Sequence, residues 1–394
     1  MTVESRPYAV HPAADAFPLL GGAEYATLRD DIAAHGLRMP VVLTPDGQLL
    51  DGRNRLRACE ELGVDPATVV YEGEPVAFVV SLNIARRHLN ENQRGMVARK
   101  LANMRHGGDR TSEESKRSID LLLPEISITQ AATMLNVSPS TVKRAMAVGK
   151  AAEAGLIPEQ RVKDIEQGKA TLGKVMKEIK QATEQAKVAE VTTQPVEDRF
   201  TLMCAPIATL TLDALVDAIV TDPPYPREYL PVYADLAHFA RRSLTPGGSL
   251  FVMVGQSYLP DILAMMTPII PYHWTLAYLT PGGQATQLWT RNVNTFWKPI
   301  LWFVHGTYTG GWHGDVCQSA PNDNDKRFHH WGQSVSGMCA LLEKHTQAGD
   351  TICDPFCGGG STGVAALATG RYFIGSDQDE TSIITTRERL RGIP

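Results

Sequence analysis

Residues 350–377 read DTICDPFCGGGSTGVAALATGRYFIGSD. A short apolar strand, TIC, runs into a glycine-rich turn at DPFCGGGSTG, a helical stretch follows, and a second apolar strand ends at Asp377. Glycines between strand and helix let a ligand approach the backbone, and the helix N-terminus favours an anionic group such as a carboxylate. A purely structural turn would use the same glycines. Asp377, just past an apolar strand, stands where an acid can accept both hydroxyls of a ribose, which favours a nucleoside-type cofactor over a bare phosphate. The same alternation fills the C-terminal half: AIVTD, YLPVYADLAHFARRSL and GGSLFVMVG precede this stretch. Short apolar strands between helical patterns imply a mostly parallel sheet covered on both faces, an α/β doubly wound, Rossmann-like fold.

One of those strands ends abruptly. After ALVDAIV the chain reads TDPPYP, residues 221–226. Two prolines remove two backbone donors and fix φ twice, so the strand stops there. They leave a stiff ledge with Asp222 at its start and Tyr225 at its end. A bland turn has no need of that acid and that ring.

TDPPY together with DPFCGGGST and FIGSD resembles the S-adenosylmethionine-dependent DNA amino-methyltransferases, whose catalytic motif is [DNS]PP[YFW] and whose cofactor motif is FxGxG. Here the catalytic motif comes first, the permuted order of that family's β class. The resemblance covers roughly residues 199–392. It implies a catalytic set of Asp222, Pro223, Pro224 and Tyr225. Asp222 and the Pro223 carbonyl would accept hydrogen bonds from the exocyclic amine of a flipped base, and Tyr225 would stack on the ring. It implies a cofactor set of Asp354, Phe356, Gly358, Gly360, Thr362 and Asp377, holding S-adenosyl-L-methionine with Asp377 on the ribose. No metal is expected. The family's HPxxKP-like segment is only partly kept: HHWGQSVSGM, residues 329–338, has His330 and Gln333 but Trp331, Ser334 and Val335 in place of Pro, Lys and Pro. QLWTRNVNTFWKPILWF, residues 287–303, is short for a separate recognition domain. Its tryptophans and Arg291 could touch DNA, whereas Trp297, Trp302 and Phe303 are expected in the core.

The N-terminal half resembles the ParB-type partition and regulator domain, expected as a smaller α+β domain. Its hairpin VVLTPDGQLLDGRNRLRACEELG, residues 41–63, carries Gly52, Arg55, Arg57 and Ala58 in register with a G-x-x-R-x-R-A box. LNIARRHL supplies Asn83, Arg86 and Leu89 of a second box. Part of that family binds CTP; Arg53 and Asn54 depart from the usual GERR box, and a scaffold with arginines in internal salt bridges or on phosphate is favoured over CTP. Basic residues of 84–110, Arg86 and Arg87 among them, are expected to meet phosphate, with Met96, Val97, Leu101 and Met104 on the buried stripe. ISITQAATMLNVSPSTVKRAMAVGK, residues 126–150, divides into two short helices, capped by Thr129 and Ser138, with Pro139 opening the second. As a helix-turn-helix it would set Ser140, Thr141, Lys143 and Arg144 at a major-groove surface. A helix over 170–188 and an aperiodic linker at 191–198 follow, giving expected domains of 1–108, 109–195 and 196–394.

Composition agrees with this frame. The chain has 394 residues, 43% hydrophobic and 21% charged, with a formal charge of −5. It has no long apolar run for a membrane span, no secretory layout at MTVESRPYAVHP, and six cysteines without zinc or disulfide spacing, as expected of a cytoplasmic protein. The expected activity is site-specific DNA methylation at adenine N6, since Asp opens the motif. The rivals are cytosine N4 methylation and a DNA-binding regulator with an inactive methyltransferase fold. The expected partner is double-stranded DNA, with a homodimer as an allowed assembly.

Overall fold

The computed structural model describes residues 8–86, 89–102, 126–282, 286–321, 323 and 333–393. The chain divides into two compact units, Met1–Ala182 and Thr183–Pro394.

The first unit holds a small sheet of β1 (Val41–Leu43), β2 (Leu49–Asp51) and β3 (Thr68–Val70), ordered β2-β1-β3. Around it lie α1 (Pro12–Asp15), α2 (Gly22–His35), α3 (Arg53–Leu62), α4 (Pro75–Arg86) and α5 (Glu91–Ala102), followed by α6 (Ile128–Met134), α7 (Pro139–Glu153) and α8 (Glu159–Glu166). Gly52 starts α3 with φ 104°, a left-handed conformation that favours glycine. The arginines after it serve the scaffold. Arg53 donates to the Ala14 and Phe17 carbonyls and pairs with Asp15, Arg55 pairs with Asp51 at 2.7 Å, and Arg57 pairs with Glu61 and lies over the Tyr25 ring.

Met96, Val97 and Leu101 are buried as the stripe requires, while Met104 and Arg87 lie outside the described residues. The neighbouring cations are partly absorbed: Arg99 pairs with Glu153 at 3.6 Å and Lys100 with Glu166 at 2.9 Å. Two short helices do meet at Asn136, whose φ of 49° makes the tight turn. The first is capped not by Thr129 but by Ser127, whose hydroxyl takes the Gln130 N–H in a reciprocal capping box. Ser138 caps the second as expected, with Pro139 at its start. Thr141 is a correction. It is 1% exposed and donates to Glu91 at 2.8 Å, so it cannot face a groove; Ser140, Lys143 and Arg144 remain exposed. Its position one turn past the cap faces inward toward α5, which overrides its polarity.

Helix α9 (Leu172–Thr192) runs further than its sequence pattern suggests, and its residues from Thr183 onward belong to the second unit. The expected linker is not loose: Val191 and Arg199 are buried, and Gln194 hydrogen-bonds the Tyr372 hydroxyl at 2.9 Å. Tertiary packing supplies the order that periodicity lacks.

The second unit is built on one eight-stranded sheet. Its strands are β4 (Phe200–Cys204), β5 (Val216–Thr221), β6 (Leu244–Met253), β7 (Tyr272–Leu279), β10 (Trp297–Val304), β11 (Val316–Gln318), β12 (Thr351–Asp354) and β13 (Tyr372–Asp377). A separate hairpin comprises β8 (Thr286–Leu288) and β9 (Val293–Thr295). The large sheet is ordered β11-β7-β10-β6-β5-β12-β13-β4, and β10 alone runs against its neighbours. Helices α10 (Pro231–Ser243) and α11 (Leu259–Met266) cover one face, while α12 (Val335–His345), α13 (Ser361–Ala368) and α14 (Glu380–Arg391) cover the other. β6 shows why both faces need cover: Leu250 and Val252 join the first layer, Phe251 and Met253 the second. In β5 the alternation is shifted by an irregularity between Val216 and Ala218, which puts these two on opposite faces despite their spacing. From β12 the chain crosses to β13 on one side, and from β5 to β6 on the other. The switch point of the sheet therefore lies between β5 and β12, where ligands of doubly wound folds bind.

Candidate active site

Both sequence motifs end at that switch point. The Thr221 hydroxyl, last in β5, donates to Asp354 Oδ1, last in β12, at 2.6 Å. Asp354 is 3% exposed, and burial pushes its carboxyl up to about 6. Hydrogen bonds from the Thr221 and Thr362 hydroxyls and the Phe356 N–H hold it from rising further. Asp354 and Thr362 thus organise the turn from within.

The glycine turn follows. Gly358 and Gly360 have φ of 47° and 76°, and a Cβ at Gly360 would meet the Thr386 side chain at 2.9 Å. The Gly358 carbonyl accepts from Thr386 and the Gly359 carbonyl from Arg389. Asp377, half-buried at the end of β13, accepts the Gly358 N–H on Oδ2 and the Asp379 N–H on Oδ1, both at 3.0 Å. Each oxygen keeps a second lone pair. Phe356 is partly buried against the α10 layer.

On the ledge, Asp222 is half-buried and crowded. It accepts from the Tyr225 hydroxyl on one oxygen and from the Gln333 amide on the other. Lys298 Nζ lies 3.6 Å from that second oxygen and 5.3 Å from the Tyr225 ring centre. Burial, and then the charge of Asp222, raise the Tyr225 hydroxyl well above the usual phenol range, so it stays a donor. Pro223 is buried beneath the ledge, Pro224 is partly exposed, and Gly255 leaves room for the Tyr225 ring, whose Cγ would stand 3.4 Å from a Cβ there.

The structure brings Asp222, Pro223, Pro224 and Tyr225 to the same sheet edge as Asp354, Phe356, Gly358, Gly360, Thr362 and Asp377. Sequence reading missed Lys298, although it is the single charged residue in the otherwise apolar WKPILWFV, a usable signal. Trp302 and Phe303 are buried as expected, whereas Trp297 is 41% exposed, a correction that follows from its place at the open end of β10. Gln333 contacts Asp222, while His330 and Trp331 lie outside the described residues. The Arg86 side chain is likewise outside them.

A doubly wound sheet with an acid–proline ledge and a glycine turn at its switch point defines a Rossmann-like α/β unit. Comparison with known sequences narrows the class. Residues 308–387 match the N6/N4 methyltransferase family model, described as a DNA methylase. The type II methyltransferase M.HinfI of Haemophilus influenzae is 28% identical over 85 residues, which is 21% of this chain and 24% of that protein. M2.DpnII of Streptococcus pneumoniae is 49% identical over 54 residues, 13% of this chain and 20% of that protein. The chain thus spans a quarter or less of the length of these two curated relatives. Among solved structures, the M1.HpyAVI–SAM complex aligns with a TM-score of 0.42 at 19% identity, over 48% of this chain and 98% of that one. The cytosine-N4-specific PvuII DNA methyltransferase aligns with a TM-score of 0.41 at 13% identity, over 50% and 87%. Among the described residues, no helix is long and apolar enough to cross a membrane, and no group of three or more His, Cys, Asp or Glu is arranged to hold a metal.

Proposed function

We propose that this protein is a DNA methyltransferase that uses S-adenosyl-L-methionine to methylate the exocyclic amine of an extruded base, adenine N6 by preference. The 2.6 Å hydrogen bond between Thr221 and Asp354 carries this reading, because it ties the TDPPY ledge to the glycine turn. The DNA-methylase match over 308–387 and the two type II methyltransferases support it.

The residues of the turn fit a nucleoside-type cofactor: Gly358 and Gly360 bend the backbone through positive φ directly after β12, and Asp377, with one N–H on each oxygen, keeps lone pairs for two ribose hydroxyls. When bound, the cofactor supplies a methyl group on a positively charged sulfur that is already primed to leave. The protein's task is positioning. A stacked amine is out of reach, so the base leaves the duplex. Asp222 exchanges the Tyr225 hydroxyl for an amine N–H, the Pro223 carbonyl takes the second N–H, and the nitrogen is drawn towards tetrahedral geometry, so its lone pair leaves conjugation with the ring and faces the methyl group. The freed Tyr225 ring stacks under the base. Lys298 and Gln333 steady the other carboxylate oxygen. The order of the two motifs supports the β-class reading, and the acid at 222 favours adenine; the N6/N4 family match keeps cytosine N4 as the second reading.

The first unit, read as a ParB-like domain with a helix-turn-helix, holds the duplex, using exposed Ser140, Lys143 and Arg144 at the start of α7. This reading needs neither CTP nor a membrane.

The test is incubation of the full chain with duplex DNA and methyl-labelled S-adenosyl-L-methionine, followed by mass analysis of nucleosides. N6-methyladenine is expected. N4-methylcytosine alone would overturn the base assignment, and no labelled base at all would overturn the enzyme.

A further inference from the structure

The β8–β9 hairpin grows from the end of β7 and the start of β10, where Leu279 pairs with Trp297. β7 runs parallel to β5 and β6, and β10 runs against them, so this junction lies at the edge of the sheet where Asp222 stands. One residue into β10, Lys298 reaches Asp222 at 3.6 Å. The base of the hairpin is anchored: the Gln256 amide donates to Thr295 Oγ1 at 3.1 Å and to the Trp297 carbonyl at 3.2 Å. Its outer end is the reverse of anchored. Trp289 is 78% exposed, and Arg291 beside it is exposed too, before Asn292 turns the chain at φ 51°. Phe296 is 71% exposed near the base. From Thr286 to Lys298 the chain carries two cations and no acid. A large aromatic held out in water, next to a cation and free of carboxylates, is the chemistry that stacks on bases and meets phosphate.

We propose that the hairpin tip enters the duplex beside the extruded base, with Trp289 filling the vacated stack and Arg291 on an adjacent phosphate. Wedges of this kind unstack base steps and hold them open. The inference rests on the methyltransferase reading and assigns to it the element that opens the duplex.

The test compares the wild-type chain with Trp289→Ala and Trp289→Phe on two duplexes bearing a site that the wild type methylates. In one duplex the target base is paired; in the other it faces an abasic position and is already loose. On the paired duplex, Trp289→Ala should lose about tenfold or more in methylation rate, the scale of one lost base–aromatic stack. On the abasic duplex the loss should be less than about twofold, with Trp289→Phe keeping most of the rate on both, since a smaller ring still stacks. Affinity for S-adenosyl-L-methionine should not change. Equal losses on the two duplexes, or no loss on either, would overturn the wedge. So would a shift from dimer to monomer on gel filtration of Trp289→Ala, which would make the tip a self-association surface. If the wild-type chain methylates no duplex from which such a site can be taken, the enzyme reading itself is overturned.

Discussion

The Thr221 hydroxyl and the Asp354 carboxylate lie 133 residues apart in sequence and 2.6 Å apart in space. This bond fastens the proline ledge to the glycine turn, and it does so with a buried acid. Thr221→Val should cost about 1–3 kcal/mol of stability, because a buried acceptor loses its donor. The pH dependence has a defined sign. The Asp354 carboxyl is raised from 3.8 to about 6, so between those values the folded state holds a proton that the unfolded chain has released. Its contribution therefore makes stability fall as pH rises through that window. Thr221→Val raises the carboxyl further and should steepen and extend that fall, as read by thermal melting from pH 4 to 7. A melting profile indistinguishable from wild type would remove this bond from the account.

Asp222→Ala should abolish methylation by orders of magnitude and leave cofactor affinity intact, since the target amine loses its acceptor. Lys298→Met should lower kcat while sparing that affinity, and Lys298→Arg should restore part of the rate, because a cation again stands beside the carboxylate. Rapid-quench turnover with an equilibrium cofactor titration separates the two effects; near-normal turnover in Asp222→Ala would dismiss its assigned role.

Asp377→Ala should weaken S-adenosyl-L-methionine by one or two charge-assisted hydrogen bonds, about 1.5–3 kcal/mol each. It also frees the Gly358 and Asp379 N–H groups, so a drop in melting temperature should accompany the loss. Unchanged affinity by calorimetry would take Asp377 off the ribose.

Where the second unit begins has a practical outcome. Arg371, 1% exposed, pairs with Glu184 at 2.8 Å, and Glu184 also accepts the Ala348 N–H. A Cβ on Gly370 would strike Val188 at 2.8 Å, so that helix lies against the turn before β13. A fragment starting at residue 199 leaves the buried guanidinium without its anion and should be less stable than one starting at residue 183, by up to about 3 kcal/mol. Denaturant melts of the two fragments measure this, and equal midpoints would count against it.

His345 is half-buried among Phe251, Trp302 and His313, its two ring nitrogens covered and lacking a hydrogen bond. Burial lowers it from 6.5 to about 3. Since the folded value is depressed, its stabilising effect is complete above pH 6.5 and is lost as pH falls towards 3. His345→Phe should flatten the decline in melting temperature between pH 6.5 and 4.5. The same slope in both proteins would show that acid acts elsewhere.

Much of the candidate site's local shape was legible in sequence because it rests on backbone chemistry. Two prolines end β5 wherever they stand, and glycines at positive φ mark the turn after β12. Lys298 and Gln333 were not legible as ligands of Asp222, since each comes from a different strand or loop and only the fold sets them beside it. Thr141 failed for the opposite reason: its polarity suggested a surface, but the packing of α7 on α5 turned it inward, where Glu91 satisfies it. The linker at 191–198 failed because aperiodic polar sequence can still be ordered by a neighbour, here Tyr372 and the turn before β13.

By itself, the sequence determined the alternation of strand and helix, the place where each motif strand stops, and the acidic and aromatic groups available there. Those are local matters, governed by φ restriction, side-chain period and apolar runs. Only the tertiary structure decided that β5 and β12 are neighbours, that Asp354 is turned inward to meet Thr221, and that the β8–β9 hairpin rises from the sheet edge where Asp222 stands. Strand order depends on which apolar faces are covered together, and that balance is made by the whole chain rather than by any one segment.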